Sequence, residues 1–147
     1  MGYLDKRAFA GQVARAGESA VVALAYVNND TEVIPFGVFV TSKDGGVAKI
    51  SKAADQITGV SLKMGTKSEN KPSEVMSVLS ISYGSEVWVQ GKENHGLAVG
   101  DTIQVEATAG ADAGKVAKAA TLATTAAKDK FYVTEVSGNL VKLMRKE

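Results

Sequence analysis

The amino-acid sequence predicts a mainly β protein: a small β-barrel or sandwich carrying an extended N-terminal arm. Three observations predict it. Short apolar stretches alternate with period two, turn signals recur about every 8–12 residues, and residues 1–18 sustain neither the strand nor the helix period.

Residues 1–18 form the arm and 19–147 the β domain. Gly2, Gly11 and Gly17 interrupt the arm, while Tyr3, Leu4, Phe9 and Val13 stand out against its polar background. Such a segment is either a frayed leader or is laid on another surface, because ordering it needs a partner to offset the entropy. A short helix over Lys6–Ala16 is the local alternative.

From Ser19 onward the strands begin. Ala20, Val22, Leu24 and Tyr26 alternate with Val21, Ala23 and Ala25, which predicts a strand buried on both faces. Asn28-Asn29-Asp30 is a turn cluster. Phe36–Thr41 is a second buried strand. Asp44-Gly45-Gly46 turns the chain into Val47–Ile50. Ile57–Lys63 follows, with Val60 and Leu62 on one face. Gly65–Pro72 is polar and reads as an exposed, mobile loop. Val75–Ile81 is expected to pair with Ser85–Gln90 across Ser82-Tyr83-Gly84. Within Ser85–Gln90, Val87 and Val89 share one face; Glu86, Trp88 and Gln90 share the other. Thr102–Ala107 places Ile103 and Val105 inward, with Thr102, Gln104 and Glu106 outward. Residues 108–129 are biased toward Ala, Thr, Gly and Lys, with a strand expected at Lys115–Ala119. Lys130–Val136 and Leu140–Met144 form a closing hairpin around Ser137-Gly138-Asn139.

The 147-residue chain is long enough to bury a core without covalent staples. Its formal net charge of +1 gives no broad pull on nucleic acid or anionic lipid. With no cysteine there is no disulfide, thiolate chemistry or Cys-type zinc site. No apolar run approaches the roughly 20 residues that span a bilayer. The first residues lack the apolar core of a signal peptide, so the chain is expected to fold in the cytoplasm of the cell that makes it.

Candidate chemistry fails residue by residue. His95 is the single histidine, in a glycine-bounded stretch that reads as a surface loop, and no orienting partner stands at a recognisable spacing. Asn28-Asn29-Asp30-Thr31-Glu32 has oxygen donors but lacks the spaced acidic pattern of a calcium loop. Gly110-Ala111-Asp112-Ala113-Gly114-Lys115-Val116 is one residue short of a phosphate loop, and Val116 stands where Ser or Thr would hold the metal; it reads as a hairpin loop. No catalytic, cofactor or metal residue is assigned. Nucleic-acid binding would want a basic face interleaved with aromatics. Here acids nearly match bases and aromatics are only 6%, with Trp88 and Tyr83 as a candidate stacking platform. Trp in a β protein serves more often as core or interface filler.

Taken in order, these segments resemble the capsid decoration, or structural cement, proteins of tailed bacteriophages. The resemblance starts at Phe9-Ala10-Gly11-Gln12-Val13-Ala14, similar to the family's Gly-Gln-hydrophobic-Ala arm. It continues through Ile34-Pro35-Phe36-Gly37-Val38-Phe39-Val40 and Ile57-Thr58-Gly59-Val60-Ser61-Leu62. It then takes in Gly84-Ser85-Glu86-Val87-Trp88-Val89 and Ala98-Val99-Gly100-Asp101-Thr102-Ile103-Gln104-Val105, ending with the Leu140–Met144 strand. The resemblance implies a non-enzymatic virion protein, made in the host cytoplasm and bound to the capsid exterior. Its implied partners are the major capsid protein and further copies of itself, a homotrimer being favoured and a dimer possible, with no nucleic acid and no membrane. Tyr3, Leu4, Phe9 and Gln12 are then the arm's contact candidates, and Trp88 is a core or intersubunit anchor. The competing reading is a small β-barrel module that binds nucleic acid or a ligand.

Overall fold

The structure, a computed structural model, describes residues 10–15, 22–52, 55–63, 69–80, 86–108, 110–118 and 131–145. The described residues contain strands and turns and no helix. In chain order the strands are β1 (Val13–Arg15), β2 (Val22–Val27), β3 (Phe39–Lys43), β4 (Gly46–Lys49), β5 (Gly59–Ser61), β6 (Val75–Ser80), β7 (Glu86–Gln90), β8 (Gln104–Val105), β9 (Val116–Ala117), β10 (Phe131–Ser137) and β11 (Leu140–Arg145).

They form a four-stranded sheet ordered β1-β7-β11-β10, a five-stranded sheet ordered β2-β6-β5-β3-β4, and the small β8-β9 hairpin. The two larger sheets pack face to face as a sandwich. Alternation explains the layer between them. Val87, Val89, Phe131, Val133, Val141 and Leu143 point inward from one sheet; Phe39, Val60 and Leu79 point inward from the other. Ile103, Val105 and Val116 of the β8-β9 region close one side. Phe39 and Phe131 meet across the layer with ring centroids 5.6 Å apart.

The five-stranded sheet is apolar on its other face as well. Val40, Val47, Met76 and Val78 make a second core there, filled by Ile34 and Val38 from the preceding loop and edged by Tyr26. The sheet curls around this core until Asn28 bridges Val47, which joins the ends of β2 and β4. That single bridge does not make a closed barrel. Asn28 is buried and holds the loop in place, its amide donating to the Asn70 carbonyl at 3.0 Å and the Glu32 carbonyl at 3.2 Å.

Several expectations need correction. β6 and β7 do not pair; they lie in different sheets, and β6 sits between β2 and β5. Its apolar residues face both ways, Met76 and Val78 into one core and Leu79 into the other, as a central strand requires. The helix suggested over Lys6–Ala16 is replaced, where described, by β1, which pairs with β7 in register Val13↔Val87. β2 is a sheet edge rather than a doubly buried strand: Leu24 is 49% exposed and Val27 39%. Within the polar loop, Asn70 is fully buried because its backbone pairs with Ile34. Gln104 also turns out buried, so β8 is covered on both faces.

Candidate interaction surface

The binding candidates divide by position. Tyr3, Leu4 and Phe9 lie outside the described residues. Gln12, just before β1, is brought against Trp88 of β7. Gly11 N–H donates to the Trp88 carbonyl at 2.8 Å, and Trp88 N–H donates to the Gln12 carbonyl at 2.9 Å. Gly11 is also wedged against the other sheet, where its carbonyl accepts from Lys63 N–H at 3.3 Å. Residues 10–15 are therefore stitched into the seam between the sheets.

The Trp88 indole is 8% exposed and belongs to the face of β7 turned away from the main core. That face carries a charged cluster. Glu86, itself buried, accepts from the Thr134 hydroxyl at 2.8 Å and lies 3.4 Å from Lys142 Nζ. Lys142 reaches Glu135 at 3.1 Å and stands 5.7 Å from the centre of the Trp88 ring. Burial pulls the Lys142 ammonium down, but Glu135 and Glu86 outweigh it and hold the group above its ordinary value. This cluster satisfies itself internally.

The residues weighed for chemistry are likewise engaged in structure. His95 is 8% exposed, not a surface histidine. Its Nδ1 accepts from Leu97 N–H at 2.9 Å, so the ring proton sits on Nε2 and is donated to the Gly138 carbonyl, also at 2.9 Å. Both nitrogens are consumed by backbone, and the ring pins the 91–97 loop to the β10-β11 turn. In the Asn28–Glu32 cluster, the two Asp30 oxygens accept from Glu32 N–H and Lys49 N–H. The 110–116 stretch is a hairpin loop between β8 and β9, and Asp112 pairs with Lys115 at 3.2 Å. An open groove of about 550 Å³ runs between β3-β4 and this loop. It holds Lys43, Lys49 and Lys52 among its lining; of its acids, Asp30 and Asp55 are spent capping backbone amides and Glu32 pairs with Lys49 at 3.3 Å. Among the described residues no group of three or more His, Cys, Asp or Glu is placed to hold a metal, and no helix is long and apolar enough to cross a membrane.

What remains open is the outer edge of β2, missed because its alternation looked like two-sided burial. Leu24 is exposed on one face; Ala25 and Val27 are exposed on the other, with Val75 of β6 beside Val27 at 54% exposure. Beyond the Asn28–Val47 bridge, no described strand pairs with this edge. An unpaired strand edge of this kind is a template on which an extended segment can pair.

No curated protein sequence matches the chain. Among solved structures, a chain from the capsid of Myoviridae phage XM1 superposes with a TM-score of 0.70 at 18% identity, covering 92% of this chain and 88% of that one. That likeness establishes the shared fold. The model of the XM1 gp53 minor capsid protein family matches residues 2–143, nearly the whole chain, and this protein therefore belongs to that family of phage capsid proteins.

Proposed function

We propose that this capsid protein is a non-enzymatic decoration protein. It binds the outer surface of the mature tailed-phage capsid, across seams of the major capsid protein, and stabilises that lattice. The observation that carries the reading is the exposed apolar edge of β2 on a body in which His95, Glu86 and Lys142 are internally engaged. A binder that recognises only the mature shell stabilises it by mass action. Many copies, each with a modest contact, add up without any single strong site. A homo-oligomer, with a trimer preferred, would present several contacts at once.

On this reading residues 1–9 extend the reach of each copy, with Tyr3, Leu4 and Phe9 as contacts. Residues 10–15 are the arm's root, because they are already paired in the four-stranded sheet. The test is selective co-sedimentation. Purified protein is mixed with expanded capsids and with unexpanded shells of the same phage. Binding to the expanded form alone, with a higher temperature of DNA release, is the expected result. Equal binding to both forms, or none to either, would refute the proposal. Removing residues 1–9 should weaken binding and leave the circular dichroism of the β body intact.

A further inference from the structure

We infer that the outer edge of β2 is a strand-addition site, and that its occupant is an extended, uncharged segment of the capsid shell protein. This rests on the decoration reading and names the contact through which it works.

The first argument is the missing protection. Exposed strand edges invite pairing, and proteins blunt them with charge, proline, bulges or brevity. The other edges here are blunted. β1 is three residues long with a bulge and Arg15. β4 carries Lys49. β10 has a bulge and Glu135, and its Tyr132 is bridged by Thr102. β2 reads Val-Ala-Leu-Ala-Tyr-Val, with no charge, proline or bulge over six residues.

The second argument is geometric. Asn28 exchanges backbone bonds with the β6 side, donating to Glu74 and accepting from Ser73. In an antiparallel ladder the direction alternates residue by residue. Tyr26, Leu24 and Val22 therefore face β6, and the N–H and C=O groups of Ala23 and Ala25 point outward. An added strand would find these groups in line, with Leu24 on one face and Val27 on the other to cover its side chains. With no charge on β2 to pair, a charged segment would lose solvation without return, so the segment is uncharged.

The third argument selects the occupant. A six-residue strand is about 20 Å long, and pairing along it covers well under the roughly 1,200 Å² that a stable pairwise interface buries. Two free copies would not stay together on that contact. A shell that offers the same segment many times would hold an oligomer through it.

Ala25→Pro tests this. Proline deletes an outward N–H and leaves the β6 ladder whole. The variant should keep the wild-type circular dichroism and oligomeric state, and bind expanded capsids about tenfold or more weakly, the effect of losing a hydrogen bond and adding a steric block. Hydrogen exchange at the Ala23 and Ala25 amides should be fast in the free protein and slow on the capsid. If Ala25→Pro fails to fold, Leu24→Lys, at a half-exposed position, should show the same weakening. Wild-type affinity in a folded variant would overturn the inference and leave the decoration reading standing. Failure of the wild-type protein to bind expanded capsids would overturn both. A smaller oligomer in the variant would make a second copy the occupant. Protection in the free protein that disappears on deleting residues 1–9 would make the chain's own leader the occupant. Either result overturns the assignment to the shell.

Discussion

Gly11→Ala should release the root of the N-terminal segment. Gly11 has φ +77°, and a Cβ built there would lie 2.8 Å from both the Lys63 amide nitrogen and the Ser61 carbonyl oxygen. Both neighbours are backbone, so neither can swing aside. The left-handed conformation alone costs an alanine about 1–2 kcal/mol. Overlap with a packed neighbour adds about 1–3 kcal/mol. The protein has a cheaper response. Lifting Gly11 and Gln12 off the seam, with β1 left paired to β7, sacrifices the three backbone bonds that join Gly11 to Trp88, Trp88 to Gln12 and Lys63 to Gly11. At about 1 kcal/mol each, that caps the loss near 3 kcal/mol. A melting temperature lower by roughly 5–10 °C is expected for a domain of this size. Urea titration gives the magnitude, and hydrogen exchange locates it: the Trp88 amide should lose protection while Val141 and Leu143 keep theirs. Gly45→Ala is the control. Gly45 also has a positive φ, +84°, but nothing lies within 4 Å of where its new methyl group would sit, so only the conformational cost of about 1–2 kcal/mol applies. Equal losses at the two positions, or a Gly11→Ala variant with a protected Trp88 amide, would refute this account of the seam.

Three further outcomes follow from buried and half-buried polar groups. His95→Ala removes two side chain–backbone bonds and leaves space beside Gly91; a loss of about 2–3 kcal/mol in urea titration is expected, with faster exchange at Leu97. Burial raises the Glu106 carboxyl, but Lys92 at 2.8 Å and the Thr108 amide outweigh it and hold the group below its ordinary value. A depressed carboxylate contributes stability above the ordinary value that is lost as pH falls through the depressed one, so Glu106→Gln should flatten the acid limb of the stability–pH curve below about pH 4.5. The raised Lys142 ammonium has the opposite sign: its contribution is complete below the ordinary lysine value and lost as pH rises through the higher one. Lys142→Met should therefore flatten the alkaline limb above about pH 10.5, and the emission of Trp88, the single tryptophan, should report the loss of the cation beside its ring.

Much of the scaffold was legible in the sequence, and the misreadings share one physical cause. The closing hairpin, the inward Ile103 and Val105, and the common face of Val60 and Leu62 follow from alternation and turn chemistry, which are local. Burial of His95 depends on Gly138, 43 residues away, and no local pattern announces it. Separation of β6 from β7 is a matter of topology, which alternation does not encode. The reading of β2 is the most instructive. Alternation records that side chains on both faces of 22–27 suit apolar surroundings; it does not record whose atoms supply them. The single chain leaves Leu24 and Val27 in water. If a shell strand completes that edge, the doubly apolar pattern describes β2 as it stands in the assembled particle. Protection of the Ala25 amide on expanded capsids, absent in the free protein, is what distinguishes that explanation from an edge that is merely hydrophobic.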